Sequence, residues 1–103
     1  MNSIKIRVEQ LPDFIEMRVL ITHPMENGRQ RDNISDALIP ANYIQQLTVK
    51  HNQQLIAMLK LTGGISKNPY FIFRLKSLSS GDRIEVTWTD NHLFSDEYQI
   101  VIP

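Results

Sequence analysis

Cysteine is absent from the 103 residues. That excludes a disulfide scaffold, a thiolate metal site, thiol nucleophilic catalysis and any covalent thiol carrier role for this chain itself. Net charge is lacking too: eleven Lys and Arg balance eleven Asp and Glu. No broad positive field is available to attract nucleic acid or an anionic membrane, so partners must be recognised by local shape and chemistry. No run approaches the roughly 18 apolar residues of a membrane-spanning helix. Met1 is followed within a few positions by what reads as a strand, so the chain is expected to carry no export signal of its own. No segment of useful length has a 3.6-residue apolar period, and no repeat, low-complexity tract or linker divides the chain. One domain over residues 1–103 is expected.

Period-2 alternation is what remains, bounded by Gly, Pro, Asn and Asp. It predicts an all-β fold with seven strands near Ser3–Val8, Phe14–Thr22, Tyr43–His51, Leu55–Thr62, Tyr70–Lys76, Arg83–Thr89 and Glu97–Ile102. Ile15, Met17, Val19 and Ile21 alternate with polar residues, as do Ile84, Val86 and Trp88. Both stretches have the pattern of half-buried antiparallel strands. Tight reversals are expected around Asn52 and at Ser79–Asp82, where Gly81 can take a positive φ. Seven short antiparallel strands in about 100 residues predict an immunoglobulin-like β-sandwich. One connection, "HPMENGRQRDNISDALIPA", is too long for a simple hairpin, and Leu38 and Ile39 are expected to tack it down.

Catalytic and metal signatures are sparse. None of His23, His51 and His92 lies two to five residues from another, and no clustered carboxylates complete a metal sphere. Ser66, His23 and Asp90 can be assembled on paper into a triad, but no serine sits in a nucleophile elbow. Gly63-Gly64 lacks the Lys and following helix of a phosphate loop and reads as a turn. Neither an enzyme nor a cofactor is therefore expected.

The stronger signal is a pair of strands that are apolar on both sides. In "LIAMLKLT" the face of Leu55, Ala57, Leu59 and Leu61 reads as core, which leaves Ile56, Met58 and Lys60 on the reverse. In "YFIFRLK", Phe71, Phe73 and Leu75 read as core, leaving Tyr70, Ile72, Arg74 and Lys76 outside. If the two strands share a sheet, their outer face has an apolar centre and a basic margin, the composition of a protein interface. A loop folding over the same face is the plainer alternative. Expressed alone, the chain could self-associate through that surface into a homo-oligomer.

Three stretches go beyond generic β chemistry: "ITHPMENGRQRD" (21–32), "IPANYIQQLTVKHN" (39–52), and "GGISKNPYFIFRLK" running on to "GDRIEVTWTDN" (81–91). In order and spacing they resemble the SoxZ family, a subunit of the bacterial sulfur-oxidation carrier complex, over nearly the whole chain. Thr22, His23, Pro24, Met25, Gly28, Arg31 and Asp32 match one motif, with Thr in place of the family's Ser. Ser66, Lys67, Asn68, Pro69 and Tyr70 match "SKNPY", and Gly81, Asp82, Val86, Trp88, Asp90 and Asn91 match a third. Thr62, Gly63, Gly64 and Ile65 stand where the family often has Gly-Pro-Gly.

The resemblance implies a heterodimer with SoxY, a subunit of similar fold whose C-terminal Gly-Gly-Cys-Gly-Gly arm carries the sulfur intermediates of thiosulfate oxidation. It also implies transient contact with periplasmic pathway enzymes, a periplasmic location reached by export with the partner, and no catalytic residue here. The partner-binding residues expected from the motifs are His23, Pro24, Met25, Arg31, Ser66, Lys67, Asn68, Pro69 and Tyr70. Ile56, Met58 and Ile72 join them from the face argument. The basic margin of Lys60, Lys67, Arg74 and Lys76 is expected to attract the anionic adduct or acidic clients. The alternative from a different class is a general immunoglobulin-like adhesion or scaffold module without sulfur chemistry.

Overall fold

The structure, a computed structural model, describes residues 2–103. Its seven strands are β1 (Ile4–Gln10), β2 (Ile15–Ile21), β3 (Ile44–His51), β4 (Gln54–Lys60), β5 (Tyr70–Leu75), β6 (Arg83–Asp90) and β7 (Ser95–Val101). All pairings are antiparallel, in a three-stranded sheet β1-β2-β5 and a four-stranded sheet β4-β3-β6-β7. The all-β sandwich expected from alternation is present.

Met17, Val19 and Ile21 of β2 face Leu47 and Val49 of β3 and Ile84, Val86 and Trp88 of β6 across the core, and all are buried. Ile44 and Leu47 are both buried although three residues apart, because the β3–β6 register shifts between Ile44 and Gln46. Such an irregularity resets the period-2 rule. Trp88 donates its indole N–H to Ser3 Oγ at 2.9 Å. Ser3 in turn binds Asp96 through both its N–H (2.8 Å) and its hydroxyl (2.7 Å), so β1 is laced to β7 along one side of the sandwich. Burial alone would raise the Asp96 carboxyl, but the Ser3 donors together with the Glu97 N–H outweigh it and hold the group below its ordinary range.

The reversal at Asn52-Gln53 is a two-residue hairpin loop with positive φ at both positions, the geometry whose twist matches its strands. The long connection forms a projecting ribbon, held by bridges between Glu26 and Asn42 and between Arg31 and Leu38. Ile39 is half-buried and Leu38 is exposed, so Leu38 does not tack the ribbon to the core.

The structure corrects the expected juxtaposition of the two double-sided strands. β4 joins the four-stranded sheet and β5 the three-stranded one, so their outer faces lie on opposite sides of the sandwich. Leu55 also departs from expectation. A register shift between Val49 and Lys50 sets Leu55 opposite Lys50, on the outer face, where it is exposed.

Candidate partner interface

The motif residues meet at one end of the sandwich. Asn68, in the left-handed region at φ 53°, donates its N–H to the His23 carbonyl (2.9 Å), while its side-chain oxygen accepts the His23 N–H (3.0 Å). The Pro69 carbonyl accepts the Ile21 N–H at 3.0 Å. Pro69 has no N–H to leave unpaired, and Tyr70 then starts β5. Gly63 permits its loop to pass close to the ribbon, since a Cβ there would stand 3.0 Å from the Asn27 Cα.

His23 is buried, and both ring nitrogens are occupied. Nδ1 accepts the Met25 N–H at 3.1 Å, so the proton resides on Nε2, which donates to Asp90 Oδ2 at 3.2 Å. Asp90 Oδ1 accepts the N–H groups of His92 (2.9 Å) and Phe94 (3.0 Å). The His23 ring packs edge-on against Trp88, with centroids 5.1 Å apart. His23 and Asp90 of the paper triad do meet, but the ring has no nitrogen left to take a proton from Ser66, whose side chain is exposed. Among the described residues no three His, Asp or Glu side chains converge on a metal-sized site.

The structure divides the expected binding residues into two groups. His23, Met25 and Pro69 are buried and hold the end together, although Met25 still forms part of the wall of the ribbon groove and His23 lines a neighbouring pocket with Trp88, Asp90 and Phe94. Pro24, Arg31, Ser66 and Lys67 are exposed and line an open groove of about 590 Å³ between the ribbon and the 63–67 loop. The Arg31 guanidinium donates to the Asp36 carbonyl at 2.9 Å and so steadies the ribbon. Asn68 is exposed, but its polar groups serve His23.

Tyr70 and Ile72 project from the outer face of the three-stranded sheet, 53 and 54 % exposed. Tyr70 lies opposite Leu20, and Ile72 opposite Arg18. Leu20 is also exposed, so the three apolar side chains form one patch beginning at the motif end. Arg18 is bound to Glu16 at 2.7 Å and approaches Glu9 at 3.9 Å. The bond to Glu16 pushes the guanidinium above its ordinary range. Ile56 and Met58, with Leu55, make a separate exposed patch on the other sheet.

The expected basic margin is likewise divided. Lys60 belongs to the four-stranded sheet, Lys67 to the groove, and Arg74 and Lys76 to the far end of β5, where Arg74 stacks over Phe14 at 5.1 Å. Sequence reasoning passed over three apolar side chains near the motif end: Ile34 at the ribbon tip, 98 % exposed, and Leu93 and Phe94 in the β6–β7 turn. Leu93 has a φ of 67°, an uncommon conformation for a bulky residue. An apolar residue set among polar neighbours in a long loop was the available signal.

A family model described as sulphur oxidation protein SoxZ matches residues 4–101. No curated protein matches the chain.

Proposed function

The chain belongs to the SoxZ family of sulphur-oxidation proteins, and from that premise we propose that it is the non-catalytic supporting subunit of a sulfur carrier. Membership implies a role in sulphur oxidation and partnership with SoxY. In the proposed arrangement SoxY docks on the outer face of β5 and β2, over Tyr70, Ile72 and Leu20. The groove of Pro24, Arg31, Ser66 and Lys67 flanks the partner's sulfur-bearing Gly-Gly-Cys-Gly-Gly arm and helps present it to client enzymes. A chain without cysteine cannot bear the sulfur itself. The location that goes with this role is the periplasm, reached together with the partner.

The observation that carries the reading is one apolar patch, continuous with the motif loops, that nothing else among the described residues covers. Burying the exposed half of an aliphatic side chain contributes on the order of 1 kcal/mol, so the three side chains supply about 3 kcal/mol and act as the anchor of an interface whose remaining area lies in the surrounding rim. Ile56 and Met58 lie on the opposite sheet and take no part. Co-expression with a small protein ending in Gly-Gly-Cys-Gly-Gly tests the proposal. A stable one-to-one complex is expected, with added sulfur found by mass spectrometry only on the partner. No complex, or sulfur on this chain, would favour the adhesion-module alternative or some other chemistry.

A further inference from the structure

The four sheet edges are not equivalent. β1 and β7 cover one another along the side closed by Ser3 and Asp96. β4 carries a register shift opposite Val49/Lys50, an irregularity that discourages pairing with another chain. β5 has no bulge and no Pro within it, and among the described residues no strand pairs with its outer side.

The register shows which backbone groups β5 leaves free. Ile21 donates to the Pro69 carbonyl, and hydrogen-bonded positions alternate along an antiparallel pair. Phe71, Phe73 and Leu75 therefore turn their N–H and C=O groups toward β2, whereas Tyr70, Ile72 and Arg74 present theirs at the open edge. Those three positions are symmetric about Ile72.

We propose that β5 pairs antiparallel with β5 of a second copy about a two-fold axis at Ile72, joining the two three-stranded sheets into one. In that register every free backbone group of positions 70, 72 and 74 meets its complement. On the outer face Ile72 lies against its own copy and Tyr70 lies opposite Arg74, within reach of a cation–π contact. On the inner face Phe71 lies opposite Phe73; both are only half-buried in the single chain, and aromatic cross-strand pairs stabilise a sheet. Centring the axis on Arg74 instead would oppose like charges, and centring it on Tyr70 would run most of the strand past its partner's end. The occupant is thus a second copy, because the edge is complementary to itself. The inference concerns the chain alone and does not depend on the function proposed above. Pairing at the β5 edge leaves the outer face of the sheet uncovered, so a partner seated on that face need not displace the second copy.

Light scattering during gel filtration of the purified chain, without SoxY, tests this. A species of twice 12.0 kDa is expected. Tyr70→Arg sets like charges at both symmetry-related contacts and should raise the dimer dissociation constant about tenfold or more. Adding Arg74→Glu should restore the dimer. Within one chain these positions are too far apart along the strand for such rescue.

Because a doubly charged edge could perturb folding, a second measurement uses the absence of cysteine. Ile72→Cys should cross-link to itself on mild oxidation, since a hydrogen-bonded pair brings Cα atoms to about 5.5 Å, within disulfide reach. Arg74→Cys should not, because its own copy would lie four residues away along the ladder. A chain that is monomeric at the highest soluble concentration overturns the proposal, as does Tyr70→Arg leaving the dimer intact. Equal cross-linking of the two cysteine variants would overturn it as well.

Discussion

Two histidine–aspartate pairs pin the two ends of the sandwich. At the motif end His23 and Asp90 stand 3.2 Å apart with side chains 4 and 3 % exposed; at the other end His51 and Asp82 stand 2.8 Å apart with 26 and 20 % exposed. Each aspartate also clamps a turn. Asp90 holds the N–H groups of His92 and Phe94, and Asp82 holds the Ser79 N–H and the Asn52 amide. The shorter bond is the less consequential one. Water can replace what His51 or Ser79 loses, whereas nothing replaces what His23 loses, and the cost of a broken hydrogen bond is set by the group left unsatisfied. Shared motif residues therefore need not touch a partner. His23, Met25, Asn68 and Asp90 are kept busy making the end rigid, and the binding surface is what that end displays.

Asp90→Ala gives the largest expected effect. It leaves the buried His23 Nε2–H without its acceptor, at about 1–3 kcal/mol for a buried unsatisfied donor. It also frees two turn N–H groups on the exposed residues His92 and Phe94, which water partly satisfies, so the loss is about 2–3 kcal/mol. Urea unfolding followed by the fluorescence of the single tryptophan, Trp88, reads this directly, because the indole lies against the His23 ring. Asp82→Ala should shift the same midpoint much less. Equal shifts would break the distinction between the ends.

Much of this was legible in the sequence, and the exceptions have identifiable causes. β2 and β6 stood out because one face of each is fully buried, and Tyr70 and Ile72 were placed outward by the same alternation. Alternation fixes which way a side chain points but not which sheet an edge strand joins, so the patches on β4 and β5 were merged when they lie back to back. It also fails at a bulge, and Leu55 adjoins one, with Ile56 the extra residue. The burial of His23 could not be read because its carboxylate lies 67 positions away. Ile34, Leu93 and Phe94 sit in connections where no period exists to sort inside from outside.

A smaller effect separates the ends along a single strand. β5 leaves the motif end at Tyr70 and runs toward the Asp82 end, so a partner seated at the motif end touches Ile72 but not Lys76. Ile72→Asp should weaken the SoxY complex by about 2 kcal/mol, roughly 30-fold, as expected for a central anchor, while leaving thermal unfolding of the isolated chain nearly unchanged at concentrations low enough for both proteins to be monomeric. Lys76→Asp, and Met58→Asp on the other sheet, should leave affinity within a few-fold of the parent in titration calorimetry. A loss at Met58 matching that at Ile72 would move the interface to the four-stranded sheet.

The smallest effect is a pH dependence at the exposed end. The Asp82 carboxyl is held below its ordinary range, first by the Ser79 N–H and then by the His51 and Asn52 side chains. A carboxyl lowered by folding adds stability that is fully present above its unfolded pKa of about 3.9 and is lost as pH falls through the folded value. The difference in melting temperature between the parent chain and Asp82→Ala should therefore be present at about pH 5 and shrink below pH 4. Thermal scans over that range measure it. A difference that grows on acidification would mean that the carboxylate opposes folding at this turn, and the likeness between the two aspartate clamps would then be one of geometry alone.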